Sequence, residues 1–212
     1  MHRERALIPP GLVILGFGGH ARSVADVALH LGIAQLRFID ASARAGEAFA
    51  GFPAATEMPD PLPPEWMVFP AAGDNARRFA QFEEITRRGW PTMALVAKTA
   101  HVGYGASVGP GSFIASHAHL GPMVSIGRAA IINTHALVEH ECSVGSYSHI
   151  AVNAAIAGRS KVGDHVFIGA GATVIDGVRI TDHVTVGAGA TVVMDIAEPG
   201  TYVGCPARRL HR

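Results

Sequence analysis

Cysteine is scarce in this chain of 212 residues, which contains only Cys142 and Cys205. Two cysteines are too few for the disulfide framework of a small secreted domain. Cys142 falls on a position that the repeat described below directs inward, so we expect a buried free thiol. The chain is expected to be cytoplasmic.

A surplus of charge is also missing, because 17 basic residues balance 17 acidic ones. Only two of the basic residues are lysines, Lys98 and Lys161, and no basic stripe is present. A nucleic-acid or anionic-membrane partner is therefore not expected. No apolar run is long enough to span a membrane, and the run near the N-terminus is short and broken by glycine, which argues against a signal peptide.

The chain does have a strict six-residue period. From Val96 to Val192 every sixth residue is valine, isoleucine or leucine, at seventeen consecutive positions. The residue two places before each, from Ala100 to Ala190, is always alanine, serine, cysteine or valine. Neither an amphipathic helix nor an alternating strand keeps a period of six. The pattern therefore predicts a parallel β-helix, in which each turn buries its apolar residues against the neighbouring turns.

The first ninety-five residues show a different pattern, an alternation of strands and helices typical of a small parallel sheet. Strands are predicted at residues 12–16, 36–40, 67–71 and 92–96, and the proline-rich stretch 52–65 is predicted to be a loop. The expected organisation is a Rossmann-like domain at 1–95, a β-helix at 96–197 and a capping tail at 198–212.

A glycine-rich turn joins the first predicted strand to the first helix. Gly16 and Gly18 precede Ala21 at the spacing of the dinucleotide fingerprint, and Asp40 ends the next strand. Glycines let the backbone approach a phosphate at a helix N-terminus, and the acid can accept hydrogen bonds from a ribose or a base. Because only about four strands are predicted, a single nucleotide joined to another group fits this domain better than a full dinucleotide does. His20 can donate a hydrogen bond to the phosphate.

Five blocks of sequence together resemble the left-handed β-helix acyltransferases that modify nucleotide-linked sugars. This family includes the bacillosamine- and perosamine-type N-acetyltransferases and sialic acid O-acetyltransferases. The blocks are residues 14–21 (ILGFGGHA), 38–40 (FID), 73–75 (GDN) followed by Arg77 or Arg78, 133–142 (NTHALVEHEC) and 203–207 (VGCPA). The resemblance covers almost the whole chain. Its most specific part is the glycine-histidine turn combined with the Val-Glu-His-Glu sequence that ends at Glu141.

The resemblance implies a left-handed β-helix, a homotrimer, acetyl-CoA as the donor, and active sites between neighbouring prisms, with no metal. It also implies that His140 is the catalytic base, that Glu141 orients it, and that Asn133 and His149 lie near the thioester. The positions expected to line the coenzyme groove are Gly158, Ala170 and Ala188. The expected substrate-binding positions are Gly16, Gly18, Gly19, His20, Asp40, Asp74 and Asn75. His135 and Cys205 depart from the family pattern, and His135 lies where it can alter the pocket.

His140 is also a candidate base on chemical grounds, since it lies between Glu139 and Glu141 in a repeat that is otherwise uncharged. A carboxylate beside an imidazole fixes its tautomer and raises its basicity, which suits proton removal from an attacking amine or hydroxyl. His149 lies nine residues further on, half a turn, and is expected on the opposite side of the prism. One site can use both histidines only if two subunits of a closed oligomer contribute to it. His149 is then expected to hydrogen-bond the thioester carbonyl.

The phase of the repeat also separates other histidines among the twelve in the chain. Six of them form three pairs whose members are 18 residues apart, one full turn, so each pair is predicted to stack on a solvent-facing surface. The pairs are His101 with His119, His117 with His135, and His165 with His183.

Transfer of an acetyl group to the 4-amino group of a nucleotide-linked dideoxy sugar is the favoured function, and three alternatives stay open. The first is O-acetylation of a sugar such as sialic acid. The second is a carbonic anhydrase-like zinc enzyme, for which His135 and His140 have suitable spacing but Thr99 stands where the third histidine is needed. The third is a non-catalytic sensor of a nucleotide sugar or NAD that uses the first domain alone.

Overall fold

The computed structural model describes residues 8–210, so the outer limits of the predicted domains, residues 1–7 and 211–212, lie outside it. The N-terminal elements are, in order, β1 (Gly11–Leu15), α1 (Gly19–Leu31), β2 (Gln35–Ile39), β3 (Ala48–Phe49), β4 (Phe52–Ala55), β5 (Met67–Pro70) and α2 (Asn75–Arg87). The strands form one sheet in the order β3-β4-β2-β1-β5. Its pairs are parallel except for the β3–β4 hairpin. The predicted Rossmann-like sheet is confirmed.

Strand β1 is buried along its whole length, as expected for a central strand covered on both faces.

Capping residues explain where helix α1 ends and where helix α2 begins. Helix α1 ends at Gly32, which adopts a φ of 102° and donates its N–H to the last turn. Helix α2 begins after Asp74, whose carboxylate accepts a hydrogen bond from the Arg77 N–H at 2.8 Å.

Two of the sequence predictions for this region are wrong. Of the strand predicted at 92–96, only Leu95–Val96 forms, and it pairs with Phe113–Ile114 in the β-helix because it already has the register of the repeat. The stretch 52–65 contains the strand β4. Pro53, which has no N–H to donate, lies just before the two residues of β4 that pair with β2, so the proline does not interrupt that ladder.

The β-helix contains seventeen short strands. They are β6 (Leu95–Val96), β7 (His101–Val102), β8 (Ser107–Val108), β9 (Phe113–Ile114), β10 (His119–Leu120), β11 (Ser125–Ile126), β12 (Ile131–Ile132), β13 (Leu137–Val138), β14 (Ser143–Val144), β15 (His149–Ile150), β16 (Ala155–Ile156), β17 (Lys161–Val162), β18 (Phe167–Ile168), β19 (Thr173–Val174), β20 (Arg179–Ile180), β21 (Val184–Val186) and β22 (Thr191–Val192). The predicted parallel β-helix is confirmed.

The strands form three parallel sheets, one on each side of the prism. Sheet I contains β6, β9, β12, β15, β18 and β21, sheet II contains β7, β10, β13, β16, β19 and β22, and sheet III contains β8, β11, β14, β17 and β20. We name the turns that join them the I/II, II/III and III/I corners. In the tail, β23 (Gly200–Val203) and β24 (Arg208–Arg209) extend sheet I, and Ala207 joins the apolar core.

Small residues fill the inward positions beside the aliphatic ones. Cys142 is a buried free cysteine, as predicted, and its thiol donates to the Ala157 carbonyl at 3.1 Å. Burial raises the pKa of this thiol to about 11. Ser148 likewise donates to the Gly163 carbonyl at 2.7 Å. The polar atoms of these two inward side chains therefore have partners in the backbone.

The outer surfaces agree with the predicted histidine pairs. The rings of His101 and His119, of His117 and His135, and of His165 and His183 stack at centroid distances of 4.9, 5.0 and 4.8 Å. The described residues 8–210 contain no helix that is both long and apolar enough to cross a membrane.

Candidate active site

The N-terminal region packs on sheet I of the β-helix. Ala21 and Val24 of α1 belong to one apolar cluster with Leu95, Phe113 and Ile131 of sheet I. This contact holds the glycine-rich turn close to sheet I, on the side of the prism away from the II/III corner.

Asp40 holds the glycine-rich turn in place. Its Oδ2 accepts a hydrogen bond from the Phe17 N–H at 3.0 Å, and its Oδ1 accepts from the N–H and the hydroxyl of Ser42 at 2.9 and 2.6 Å. The Ser42 hydrogen bonds, followed by that of Phe17, lower the pKa of the Asp40 carboxyl. Gly16, with a φ of 117°, adopts a backbone conformation that suits glycine. Asp40 is thus ionised and already partnered in the turn.

The N-terminus of α1 faces open space. A Cβ atom added to Gly18 or Gly19 would meet no atom within 4 Å. The first N–H groups of a helix lack partners within the helix and favour an anion. The arrangement can therefore hold a phosphate next to the two glycines.

His20 follows the two glycines and is enclosed by the β-helix. Its ring lies edge-on to Phe113, with centroids 5.1 Å apart. Its Nε2 is buried and has no hydrogen-bond partner among the residues described. Burial, assisted by His149 and Arg78, lowers the pKa of His20 to about 3, so the ring is neutral near pH 7.

The two polar residues of the 73–75 loop, Asp74 and Asn75, form hydrogen bonds within the protein. Asp74 caps α2, and Asn75 donates from Nδ2 to the Val166 carbonyl at 3.1 Å and accepts from Arg78 at 2.8 Å. The same loop lines a cleft of about 650 Å³ together with Phe79, His165 and other residues. The polar groups of Asp74 and Asn75 thus support the site as well as bordering it.

His149 lies in β15 on sheet I and contacts the N-terminal region. Its Nδ1 is 3.3 Å from the Gly73 carbonyl oxygen, and its Nε2 is 3.2 Å from Nδ2 of Asn133. Its ring centroid is 6.4 Å from that of His20. Burial, followed by repulsion from Arg78, lowers the pKa of His149 to about 4. The structure therefore brings His20, His149 and Asn133 together around Gly73.

His140 lies on the II/III corner, between β13 and β14. Its Nδ1 is 3.2 Å from Oε2 of Glu141, and its backbone N–H donates to Glu139 at 3.2 Å. The side chain is 44% exposed. A Cβ atom added to Gly158, one turn further along the same corner, would lie 2.5 Å from Nε2 of His140. The acid therefore holds one ring nitrogen, and the other projects over a glycine.

Two charged residues near His140 were not identified from the sequence. Oδ1 of Asp176 lies 3.2 Å from the same added Cβ of Gly158, and Asp176 forms an ion pair with Arg159. Asp176 is two full turns beyond His140. The 18-residue period therefore predicts that Asp176 lies on the same corner as His140.

The expected site residues occupy different sides of one subunit. His140, Glu141 and Gly158 are on the II/III corner, whereas Ala170 and Ala188 are exposed on the I/II corner. His149 is on sheet I, and Asn133 is at the I/II corner beside it. The opposition of His140 and His149 within one prism agrees with the sequence prediction.

Among the described residues, no group of three or more His, Cys, Asp or Glu side chains is arranged to hold a metal ion.

Two protein-family models match the chain, one in the N-terminal region and one in the β-helix. The family model described as the PglD N-terminal domain matches residues 11–85, and the model described as the bacterial transferase hexapeptide (six repeats) matches residues 159–193. No curated protein matches the chain.

Solved structures match the chain over most of its length. The acetyltransferase domain of PglB from Neisseria gonorrhoeae FA1090, in complex with acetyl coenzyme A, is 30% identical with a TM-score of 0.90, and the match covers 95% of this chain and 100% of that one. A mutant of GDP-perosamine N-acetyl transferase from Caulobacter crescentus, in complex with CoA and GDP-perosamine, is 30% identical with a TM-score of 0.89, over 95% and 97% of the chains.

A third structure, WeeI from Acinetobacter baumannii AYE, is 20% identical with a TM-score of 0.63, over 94% of this chain and 99% of that one, and supports the fold alone. The two relatives at 30% identity are matched over 97% or more of their own length. The chain therefore belongs to the left-handed β-helix sugar acyltransferases that carry a PglD-type N-terminal domain.

Proposed function

We propose that this protein transfers the acetyl group of acetyl-CoA to the amino group of a nucleotide-linked amino sugar, of the 4-amino-dideoxy type. Two relatives of nearly the same length support the substrate classes, since one is described with acetyl coenzyme A and the other with CoA and GDP-perosamine. That this chain also uses acetyl-CoA and a nucleotide-linked amino sugar is part of the proposal.

The observation that carries the proposal is the arrangement of His140. With Glu141 accepting a hydrogen bond from Nδ1, the neutral imidazole has its lone pair on Nε2, which projects over Gly158. Such a nitrogen can take the proton of an amine as the amine attacks a thioester carbonyl. A carbon–nitrogen bond then forms, the carbon–sulfur bond breaks, and the proton passes to the departing thiolate. His140 is the proposed general base and Glu141 the group that orients it.

The donor is proposed to lie between two prisms. Gly158 lies beside His140 on the II/III corner, and Ala170 and Ala188 are exposed on the I/II corner. These positions line one groove if the two corners come from neighbouring subunits. Asn133 and His149, near sheet I, are then proposed to reach the thioester across the interface. A homotrimer with three such interfaces fits this arrangement and closes on itself.

The nucleotide is proposed to bind at the glycine-rich turn. Gly18 and Gly19 leave space at the N-terminus of α1, and Gly16 provides the tight turn before them. Phosphate binding there uses the unpartnered N–H groups, and His20 contributes its unpartnered Nε2. Asp40, which holds the turn, keeps further lone pairs for a ribose or a base. Asp74 and Asn75 border the adjoining cleft.

We also propose the domain division at 1–95, 96–197 and 198–212 and a cytoplasmic location. The proposed boundary at 95/96 falls inside β6, the first strand of sheet I, which supports a division near the start of the β-helix. The free thiol of Cys142 is consistent with a reducing compartment.

The test measures thiol release from acetyl-CoA with UDP-, GDP- and dTDP-linked 4-amino sugars, each paired with the same sugar carrying a hydroxyl instead of the amine. We expect release with at least one amino sugar, one acetyl group in the product, and no comparable release with its hydroxyl partner. Acetylation of the hydroxyl sugars alone would favour an O-acetyltransferase instead. No turnover with any acceptor would favour a sensor. Metal analysis of active protein tests the zinc alternative, for which Thr99 is unsuited because its hydroxyl instead accepts from the His117 N–H at 3.3 Å.

A further inference from the structure

Arg78 of helix α2 is a buried cation without a carboxylate partner among the described residues. Only 1% of its surface is exposed. Its guanidinium donates hydrogen bonds to the carbonyls of Ala72, Gly73, Ala129, Tyr147 and Ser148 and to Oδ1 of Asn75. Burial lowers the pKa of Arg78 to about 10, so it remains charged near pH 7. Burying a charge is costly unless its hydrogen bonds are satisfied, and here the backbone satisfies them.

The acceptors of Arg78 belong to two parts of the molecule. Ala72 and Gly73 are in the loop before α2, whereas Ala129 and Tyr147 are on the III/I corner of the β-helix. The rigid guanidinium fork therefore fixes the loop relative to the β-helix. The Gly73 carbonyl receives hydrogen bonds from two sides, from Arg78 at 3.1 Å and from the ring of His149 at 3.3 Å.

These contacts determine the tautomer of His149. A carbonyl oxygen can only accept, so Nδ1 of His149 must carry the proton. Its Nε2 then has a lone pair, which faces Nδ2 of Asn133 at 3.2 Å. The amide of Asn133 has this orientation because its Oδ1 accepts the Thr134 N–H at 2.8 Å. His149 therefore accepts from Asn133 and cannot itself donate to a thioester carbonyl in this arrangement.

Asn133 retains one unused donor. Its Nδ2 carries two N–H groups, of which His149 accepts one, and the described residues provide no acceptor for the other. An amide N–H held by a fixed neighbour is a suitable donor to an oxyanion, because it needs no reorganisation when charge develops.

We propose that Arg78 is a positioning residue that acts through the Gly73 carbonyl and His149 to aim the second N–H of Asn133 at the acyl carbonyl of the donor. The proposal rests on the proposed acetyl transfer. It assigns the donation to the thioester carbonyl to Asn133 rather than to His149. It also makes the N-terminal region part of the donor site, because Arg78 comes from α2.

The protonation state of His149 depends on its neighbours from each packed element. His20 faces it from α1, Arg78 from α2, and the uncharged ring of Phe167 from the next strand of sheet I. Burial, followed by Arg78, opposes a second proton on the ring, whereas the hydrogen bond to the Gly73 carbonyl favours it. His20 is neutral near pH 7 and adds no charge. Loss of Arg78 raises the pKa of His149 and leaves the Gly73 carbonyl without one of its donors.

The first test compares Arg78→Met with Arg87→Met, in which an exposed arginine of the same helix is removed. We expect the kcat of Arg78→Met to fall by about 10²-fold, as for a small displacement of a reacting group, with the KM of the amino sugar within about twofold of wild type because the glycine-rich turn is unchanged. Arg87→Met is expected to keep wild-type kinetics. A folded Arg78→Met protein, of wild-type size in solution, that retains the wild-type kcat would overturn the proposal.

The second test needs no variant and no substrate. Nitrogen-15 NMR of the imidazoles in the wild-type protein reports which ring nitrogen carries the proton. We expect His149 to be neutral with the proton on Nδ1 at pH 7. A proton on Nε2, or a charged ring, would overturn the proposal even if Arg78→Met fails to fold. Failure of the proposed function has a separate signature, the absence of turnover by the wild-type protein, and it leaves the tautomer measurement valid.

Discussion

The imidazole of His140 occupies the space that the missing side chain of Gly158 leaves open on the next turn of the β-helix. An added Cβ would come within 2.5 Å of Nε2 and 2.6 Å of Cε1 of the ring. Coils of a β-helix are only about 4.8 Å apart, so a glycine at this position lets the ring bend along the corner. The glycine therefore sets the direction of the proposed base.

The first prediction is that Gly158→Ala displaces His140. We expect kcat to fall by about 10²-fold because the ring moves by about 1 Å or more. The melting temperature should change little, since the end of a partly exposed side chain can move aside. Kinetics of the double variant Gly158→Ala/His140→Ala provide the control. If its activity falls well below that of His140→Ala alone, the alanine acts elsewhere.

The second prediction concerns the carboxylate on the other side of the ring. Replacing His140 with alanine should lower kcat by about 10² to 10⁴-fold, the contribution of a general base. Glu141→Gln should cost less, because the base remains while its orienting acceptor loses its charge. Single-turnover acetyl transfer measures both variants. Nearly full activity of His140→Ala on every acceptor would show that another group removes the proton.

The third prediction uses the open space at Gly18. An aspartate is a favourable N-cap, which relative to glycine stabilises a helix by only about a few tenths of a kcal/mol, but its charge repels a phosphate at the same place. Gly18→Asp should therefore keep or raise the melting temperature and raise the KM of the nucleotide sugar, while the KM of acetyl-CoA stays unchanged. Gly18→Ser, which caps without charge, is the matched control and should have the smaller effect. Equal effects of the two variants would argue against a phosphate at this turn.

The fourth prediction is a loss of stability in mild acid caused by buried neutral histidines. His149 has a pKa of about 4 when folded, below its ordinary value of 6.5, so the unfolded chain binds more protons between these values. The contribution of this residue to the free energy of unfolding is therefore fully present above about pH 6.5. It is lost as the pH decreases towards 4, which amounts to roughly 3 kcal/mol. Urea unfolding at pH 7.5 and pH 5 measures it. His149→Asn should reduce this dependence, whereas the exposed His30→Asn should not.

The sequence allowed most of the scaffold to be predicted, because a period of six has one structural solution and assigns each residue to a side of the prism. The same phase placed His140 and His149 on opposite sides. It also places Asp176 two turns beyond His140 on the same corner, whereas only the adjacent residues Glu139 and Glu141 were predicted as partners of His140.

The role of Arg78 could not be predicted from the sequence motif, since Arg77 and Arg78 fit that motif equally well. The apolar face of α2 distinguishes them, because Arg78, Phe82 and Ile85 lie on one stripe at helical spacing and are all buried. An arginine on an apolar stripe indicates a buried cation. Its acceptors in the β-helix still required the structure, because they are backbone carbonyls of Ala129, Tyr147 and Ser148, which no residue type identifies.

The last prediction tests whether the site is shared between subunits. In one subunit the glycine-rich turn lies by sheet I, whereas His140 lies on the II/III corner, so a site that joins them within one chain would have to cross the prism. His140→Ala and Gly18→Asp therefore damage different contributors to each interface. In a proposed trimer that contains both impaired variants, one of the three interfaces receives an intact His140 from one subunit and an intact turn from its neighbour. The assay uses the nucleotide sugar well below the KM of Gly18→Asp, so that each parent alone has low activity.

Co-expression of the two variants with different affinity tags, followed by purification through both tags, yields such mixed oligomers for a thiol-release assay. We expect a substantial part of the wild-type activity to return, whereas co-expressed His140→Ala and His140→Asn should stay inactive because no subunit supplies the base. Restored activity requires that the turn and the base come from different chains. If the mixed oligomers are as inactive as their parents, each subunit must use its own turn with its own histidine, and the interfacial site is wrong.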